Sequence, residues 1–275
     1  MRLATVDTAN GTRTARIEND YVVLLDAPDL SSLLNEPDWE ERARSDAHQR
    51  VSRDRVRIAR LLSGHPKIIC VGLNYRGHIT EIGLPTPDHP ALFGKFPEAL
   101  LGPADDLALP TISQQVDWEA ELAVVIGSTA RHADAQAAAD AIAGFTVAND
   151  VSMRDLQNRT TQWLQGKTFE ATTPIGPVLV TPDELPGGVT PDLRISCMVG
   201  GETVQDARTS DLLFSPVDLV AYVSRILTLN PADVILTGTP AGVGTALEPP
   251  RFLSAGELLV TEIEHIGRLE NRIVA

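Results

Sequence analysis

Cysteine, aromatic residues and basic residues are all scarce in this 275-residue chain. The two cysteines, Cys70 and Cys197, form no CxxC pair and stand in apolar, strand-like stretches, which is typical of buried thiols and predicts neither disulfides nor a zinc site. Lys and Arg total 23 against 37 Asp and Glu, and the net charge of -14 opposes nucleic acid as a partner.

Long hydrophobic runs are missing as well. Stretches such as LAVVI at 122–126 are far too short to cross a bilayer, and the opening MRLATVD has no signal-peptide core. We therefore expect a soluble, cytoplasmic protein without a membrane partner. The composition that remains, 43% hydrophobic and 22% charged, is that of a globular chain long enough to bury a substantial core.

The pattern of the chain changes near Ser63. Residues 1–62 contain a few short strand-like stretches and then a charged, helix-prone segment at 31–62, which predicts a small N-terminal domain. Residues 63–275 consist mainly of strand-like runs separated by turns, with helical patterns at 133–144 and 215–227. Without regular βαβ alternation, this order favours an α+β, β-rich domain whose sheets are mixed and mostly antiparallel.

Three acids alternate with apolar residues in VDWEAELAVVIG at 116–127. On a strand, Asp117, Glu119 and Glu121 would share one face, where like charges crowd together. This face is either the solvent-exposed side of an edge strand or the binding site of a divalent cation. The second is possible because hard cations take carboxylate oxygens as ligands. Asp150, which ends the apolar run GFTVAND, is the candidate third ligand or, alternatively, a helix N-cap.

More polar residues follow Asp150. In NDVSMRDLQ, Asp150, Arg154 and Gln157 have the i, i+4, i+7 spacing that predicts one stripe of a helix. The stripe is either a solvated surface with a weak ion pair or, beside a metal, a place where Arg154 and Gln157 hold a substrate carboxylate. Lys167 in QGKTFE is a further possible anion contact or an ordinary surface lysine.

Two short motifs complete the set of candidates. His78 and Glu81 in NYRGHITEIG have i, i+3 spacing, so they are either exposed neighbours or a pair in which Glu81 orients His78 to take a proton from water. TGTPAGVG at 237–244 lacks the arrangement of a nucleotide phosphate loop. Its backbone amides form either a small anion site or a plain tight turn.

Taken together and in order, several motifs closely resemble the fumarylacetoacetate hydrolase (FAH) superfamily: CVGLNYRGHITEIG, PALFGKF, VDWEAELAVVIG, GFTVANDVSMRDLQ, GKTFE, PIGPVLVT, ILTGTPAGVG and IGRLEN. The similarity runs from about Lys67 to the C-terminus and is not seen before residue 60. The resemblance implies a mixed β-sandwich roll, a homodimer, and a Mg²⁺ or Mn²⁺ site, with Ca²⁺ in some members.

The resemblance also implies roles for single residues. Glu119, Glu121 and Asp150 match the metal ligands, and His78 with Glu81 matches the water-activating pair. Some family members have a fourth acid shortly before this histidine, but CVGLNYRG contains none, so three protein ligands are expected. Asp117 belongs to the motif but is not usually a ligand. Family members commonly have Asp at the position of Glu170 and Ala at the position of Met153. These two differences affect the expected dimensions of the pocket more than its chemistry. Four further residues match positions on the substrate side: Arg154, Gln157, Gly238 and Thr239. Lys167 also matches such a position and would offset the negative charge that develops during catalysis.

The expected reaction is hydrolytic carbon–carbon cleavage of an acylpyruvate-like β-diketo acid, a small-molecule keto acid. Three protein carboxylates on an octahedral ion leave about three positions, enough for a chelating 2-oxo acid and a water. His78 would deliver the water, and the metal would stabilise the leaving enolate. One alternative is oxaloacetate decarboxylation or hydroxymuconate-type isomerisation, which uses the same enolate without an attacking water. The other is a non-catalytic homologue that binds metal.

Overall fold

Strands are the main regular secondary structure of the protein. The structure is a computed structural model that describes residues 1–45 and 49–275. The strands in chain order are β1 Arg2–Thr8, β2 Gly11–Ile17, β3 Tyr21–Leu24, β4 Gln49–Ser52, β5 Arg57–Ile58, β6 Ile68–Gly72, β7 Ala91–Lys95, β8 Leu100–Leu101, β9 Leu107–Ala108, β10 Val116–Asp117, β11 Ala120–Ile126, β12 Ile142–Asn149, β13 Ser152–Met153, β14 Thr173–Val180, β15 Arg194–Val199, β16 Glu202–Arg208, β17 Val234–Leu236, β18 Leu258–Ile263 and β19 Gly267–Val274.

The helices are short, apart from the last. That last helix covers the second predicted helical stretch and begins at a capping box, in which the Ser215 hydroxyl accepts from the Asp218 amide and the Asp218 carboxylate accepts from the Ser215 amide. Within the described residues, no helix combines the length and the apolar character that a membrane span requires. The helices are α1 Leu30–Leu34, α2 Trp39–Arg44, α3 Arg76–Glu81, α4 Ala135–Asp140, α5 Arg154–Gln157, α6 Leu164–Lys167 and α7 Pro216–Ile226.

Two large sheets pack face to face. The larger has the strand order β4-β3-β2-β1-β14-β12-β11-β17-β6-β7, and the smaller has the order β16-β15-β18-β19-β9. Their shared core contains Leu122 and Phe145 from the larger sheet and Ile195, Leu259 and Leu269 from the smaller. Most strand pairs are antiparallel, and the parallel pairs are β6 with β17, β8 with β14 and β9 with β19. The predicted α+β, β-rich fold with mixed, mostly antiparallel sheets is confirmed.

Residues 1–62 extend the larger sheet. Strand β1 pairs with β14, with Leu3 opposite Leu179, and the other face of the sheet carries a second core. In that core, Leu33 and Leu61 pack with buried residues of the sheet such as Val234. The boundary between residues 62 and 63 stays a prediction.

The helix prediction for 31–62 is only partly right. Helices α1 and α2 occupy its first half, residues 46–48 lie outside the described residues, and β4 and β5 follow where helix was expected. Strand β4 pairs with β3, so that Val51 lies opposite Val22 and packs against the core. Pairing of this strand with β3 and the contact of Val51 with the core outweigh the local helix propensity of a charged sequence.

The shared second core predicts that residues 1–62 unfold together with the rest of the protein. Leu33 is 1% exposed, so Leu33→Ala should lower the free energy of unfolding by about 2–5 kcal/mol. We expect a single calorimetric transition that moves to lower temperature as a whole, whereas the exposed Glu36→Gln should change little. Two transitions, of which only one responds to Leu33→Ala, would instead mean that the N-terminal segment folds as an independent unit.

Candidate metal centre

Three buried acids meet at one end of the larger sheet. Strands β11 and β12 are antiparallel with Ala120 opposite Asn149, which brings Glu119 and Glu121 beside Asp150. One carboxylate oxygen from each acid lies within 4.8 Å of the others. Two oxygens on opposite sides of an ion bound at about 2.1 Å are roughly 4.2 Å apart, so small side-chain adjustments would let all three bind one ion.

Hydrogen bonds to backbone amides hold the three acids in place. The Glu119 amide donates to Asn149 Oδ1 at 2.9 Å, and the Asp150 amide donates to the Glu119 carbonyl at 2.8 Å. The Gly238 amide donates to Glu121 Oε2 at 2.6 Å. Because these contacts join separate strands, the position of each carboxylate depends on the packed sheet and not on one local segment.

Buried cations neutralise part of the cluster. Lys167 Nζ lies 2.7 Å from Glu119 Oε2 and 3.0 Å from Asp150 Oδ2, and Arg154 Nη1 lies 2.6 Å from Glu119 Oε1. Burial raises the pKa of Glu119, but Lys167 and Arg154 outweigh burial and lower that pKa to about 2. Burial likewise opposes the charge on Lys167, yet Asp150 and Glu119 raise its pKa above the ordinary value.

Lys95 is a member of this cluster to which sequence reasoning gave no role. Its side chain is fully buried and its Nζ contacts Asp150 Oδ1. The only signal was a lysine two positions after the apolar Phe93 in PALFGKF, which predicts that both residues face the same side of a strand. That signal does not reveal an acid 55 positions later as its partner.

Glu121 is the acid that the buried cations leave uncompensated. Among the described residues, no lysine or arginine forms an ion pair with it, and its carboxylate accepts from the Gly238 amide. Burial, reinforced by Asp150 and Glu119, raises the pKa of Glu121 well above its ordinary value. A divalent cation would relieve this repulsion, so the donor set fits a hard metal ion such as Mg²⁺ or Mn²⁺.

Asp117 does not join the cluster, and the prediction that all three acids of the motif share one face is wrong for it. Strands β10 and β11 are interrupted between Asp117 and Ala120, so the simple alternation fails there. Asp117 Oδ1 accepts from the amides of Trp118 and Gly244, at 2.8 and 2.7 Å. Its Oδ2 accepts from the Thr245 amide at 3.0 Å and from Arg154 Nε at 2.8 Å. Four donors thus occupy both oxygens of this carboxylate, and Asp117 is a structural anchor.

The predicted helical stripe starts later than expected. Strand β13 pairs with β10 directly after Asp150, so the helix begins at Arg154 and only Arg154 and Gln157 share it. Arg154 Nη1 donates to Gln157 Oε1 at 2.9 Å, while Arg154 Nη2 is buried and has no hydrogen-bond partner among the described residues. Only one nitrogen of the guanidinium is therefore left unused by these residues.

His78 and Glu81 lie on the single helix α3, as their spacing predicts. His78 Nδ1 lies 2.9 Å from Glu81 Oε2, and Glu81 Oε1 accepts from the Gly242 amide at 2.9 Å. The Gly242 contact thus holds the carboxylate that contacts His78 Nδ1, and Nε2 takes part in neither contact. The predicted anion site of the turn at 237–244 thus binds carboxylates of the protein itself: Gly238 holds Glu121 and Gly242 holds Glu81.

A cavity of about 220 Å³ connects these groups. Glu119, Glu121, Arg154 and Lys167 line it on one side, and further predicted residues, His78, Gln157 and Thr239, also border it. The apolar wall includes residues that sequence reasoning did not single out: Val71, Leu84, Phe93 and Trp163. Trp163 meets Phe93 edge to face with ring centres 5.5 Å apart. The cavity is below the range of about 300–1,000 Å³ usual for drug-sized ligands, so a small acid fits it.

Residues 67–274 match the family model described as fumarylacetoacetate (FAA) hydrolase C-terminal. The chain belongs to the fumarylacetoacetate hydrolase family. The FAH resemblance seen in the sequence motifs is thereby confirmed, and the match begins just after the predicted boundary at residues 62 and 63.

Relatives within the FAH family extend this finding. The human protein named oxaloacetate tautomerase FAHD2A, mitochondrial, is 48% identical over 210 residues, which are 76% of this chain and 66% of the length of that relative. Fumarylacetoacetate hydrolase from Exiguobacterium antarcticum is 32% identical with a TM-score of 0.90, covering 100% of this chain and 99% of that one. Fumarylpyruvate hydrolase from Pseudomonas aeruginosa, solved in complex with Mn²⁺ and pyruvate, is 31% identical with a TM-score of 0.68, covering 76% of this chain and 89% of that one.

The raised pKa of Glu121 gives the metal-free protein a distinct pH dependence. The folded state holds a proton that the unfolded chain releases, so this stabilisation is fully present below the ordinary pKa of 4.5 and is lost as pH rises through the raised pKa. We expect Tm in EDTA to fall with rising pH more steeply for the wild type than for Glu121→Gln, which cannot ionise. Added Mn²⁺ should remove the difference in slope. Parallel Tm profiles for the two metal-free proteins would contradict this assignment.

Proposed function

We propose that this protein is a divalent-metal-dependent enzyme that enolises a small 2-oxo acid, with keto–enol tautomerisation of oxaloacetate as its leading activity. One observation carries the proposal: Glu119 and Glu121, whose carboxylates cluster with that of Asp150, line the same small cavity as His78, which Glu81 contacts. The 48% identity to a protein named oxaloacetate tautomerase supports this activity over acylpyruvate cleavage, the reaction expected from the sequence.

Glu119, Glu121 and Asp150 are the residues that would hold the metal. When bound, Mg²⁺ or Mn²⁺ polarises a carbonyl oxygen and stabilises the negative charge that enolisation places on it. The FAH-family hydrolase solved with Mn²⁺ supports an ion of this class. Ca²⁺ remains a third candidate from the sequence resemblance.

The formal charges of the cluster favour an anionic substrate. When every group is ionised, the three acids of the cluster and the neighbouring anchor Asp117 carry four negative charges against the three positive charges of Lys95, Lys167 and Arg154, which leaves one negative charge. A divalent ion changes this to one positive charge, and a carboxylate of the substrate then neutralises the site. Arg154 Nη2 is a free donor for that carboxylate, and Thr239 and Gln157 lie along the same cavity.

His78 is the base of the proposed reaction. Its Nε2 takes a proton from the carbon next to the keto group, and the electron pair of the broken C–H bond forms the enolate. Return of the proton to the enolate oxygen gives the enol, and return to carbon regenerates the keto form. Glu81 holds Nδ1 and stabilises the ring while it carries the extra proton, and Lys167 keeps a fixed positive charge beside the developing negative one.

Hydrolysis of an acylpyruvate is the second candidate. His78 and Glu81 retain 12% and 22% side-chain exposure, so water can reach this pair. In this reaction His78 removes a proton from water, the resulting hydroxide attacks the distal carbonyl, and the carbon–carbon bond breaks to release the enolate. The likeness to fumarylpyruvate hydrolase supports it. A homodimer and a cytoplasmic location remain predictions.

Metal removal tests the proposed centre. We expect EDTA to abolish oxaloacetate tautomerisation and Mn²⁺ to restore it, because the enolate has no other divalent charge to stabilise it. Asp150→Asn should weaken Mn²⁺ binding, measured by calorimetry, by more than roughly 10–100-fold. That range is the usual loss when a residue that contacts a metal ligand, but not the metal, is removed. Asp134→Asn is the matched control, since asparagine also caps helix α4. Mn²⁺ binding without turnover of any keto acid would favour the non-catalytic alternative.

Removal of the base tests the mechanism. His78→Ala should lower kcat by about 10²–10⁴-fold for tautomerisation, measured from the enol absorbance of oxaloacetate, and for any acylpyruvate cleavage, measured from pyruvate release. The exposed His65→Ala should leave both rates unchanged. If both activities survive equally in His78→Ala, another group is the base.

A further inference from the structure

Gln205 is a buried amide whose contacts join the smaller sheet to the candidate site. It lies on the edge strand β16, where the residues on either side are exposed or half-buried, yet Gln205 itself is 1% exposed. The register of β15 and β16 shifts between Cys197 and Met198, and this bulge places Gln205 opposite the buried Cys197. A bulge that directs a polar side chain into the core requires partners for every polar atom of that side chain.

Two of those partners fix the orientation of the Gln205 amide. Its Oε1 accepts from the Ala120 backbone amide at 2.9 Å, and its Nε2 donates to the Pro240 carbonyl at 2.9 Å. A backbone N–H can only donate and a carbonyl can only accept, so the reverse orientation would lose both hydrogen bonds. Ala120 is the residue between the candidate ligands Glu119 and Glu121.

This orientation determines the role of the Thr239 hydroxyl. Gln205 Nε2 lies 2.8 Å from Thr239 Oγ1 and can only donate, so the threonine oxygen must accept. Thr239 borders the cavity, and no group of the described residues accepts its hydroxyl proton. The proton is thus left for a ligand that accepts hydrogen bonds.

We propose that Gln205 is a positioning residue that makes Thr239 an obligate hydrogen-bond donor to the carboxylate of a bound 2-oxo acid. The proposal rests on the proposed function and extends it to the recognition of the anionic end of the substrate. A free threonine hydroxyl both donates and accepts, whereas one whose oxygen is already engaged by Gln205 favours an acceptor such as a carboxylate. Gln205 itself lies behind Thr239 and acts through it.

A double-mutant cycle tests the proposal with pyruvate as the probe. The Kd of pyruvate for the Mg²⁺-loaded protein is measured by NMR titration in the wild type, Gln205→Glu, Thr239→Val and the double variant. In Gln205→Glu, an oxygen still accepts from Ala120, but the donor to Thr239 is lost and the threonine proton turns toward the new carboxylate. We expect Gln205→Glu to weaken pyruvate binding about tenfold, the usual size of one lost hydrogen bond to a charged group, and to have no further effect in Thr239→Val.

Two further variants and a metal measurement separate positioning from folding. Gln205→Met removes the donor without adding a charge and should weaken pyruvate binding in the same direction, again only when Thr239 is present. Thr239→Ser keeps the hydroxyl and should respond to Gln205→Glu as the wild type does. The Kd of Mg²⁺ by calorimetry should stay within about twofold throughout. Additive losses in the double variant, or a parallel loss of Mg²⁺ binding, would show a general structural role and overturn the inference.

The same measurements distinguish this inference from the proposed function. If the wild type binds pyruvate but does not enolise oxaloacetate, the proposed reaction is overturned and the role of Gln205 is still decided by the cycle. If the Gln205 variants bind pyruvate as the wild type does, only the role of Gln205 is overturned. If the wild type binds no 2-oxo acid, both are overturned.

Discussion

The enclosure of like charges at the end of strands β11 and β12 is the constraint on which the rest of the site depends. Glu119, Glu121 and Asp150 are all buried, and desolvation of several carboxylates is costly unless cations accompany them. Lys95 and Lys167 supply part of that compensation. The site nevertheless leaves Glu121 without a cationic partner among the described residues, and this is the electrostatic reason to expect a divalent ion.

Backbone amides of the turn at 237–244 donate to three different acids. The acceptors are Glu121 of the candidate metal cluster, Glu81 of the proposed proton-transfer pair and the structural anchor Asp117. Gly242 has φ of +99°, and a Cβ there would lie 2.0 Å from the Val204 carbonyl oxygen, so only glycine fits. One turn therefore links the position of the proposed base to the position of a candidate metal ligand, which the proposed reaction needs because both must act on the same substrate.

The smaller sheet contributes to the site as well as to the core. Through Gln205 it contacts Pro240 in the turn at 237–244 and Ala120 at the start of strand β11, between two candidate metal ligands. Asn149 and Thr261 make a second bridge, since Asn149 Nδ2 donates to Thr261 Oγ1 while Asn149 Oδ1 accepts from the Glu119 amide. The two-sheet architecture thus has a direct function in fixing carboxylates that would otherwise repel one another.

Strand alternation, turn residues and motif order are local properties, and for that reason the amino-acid sequence was enough to predict the β-rich fold class, the FAH resemblance and the candidate acids. The spacing of His78 and Glu81 also sufficed to predict their contact, since both lie on one helical turn. Three features became visible in the folded chain alone: Asp117 is an anchor, Lys95 contacts Asp150, and residues 1–62 continue the larger sheet. Each of these depends on partners dozens to more than a hundred positions apart in the chain, and such pairings are set by packing that no local pattern encodes.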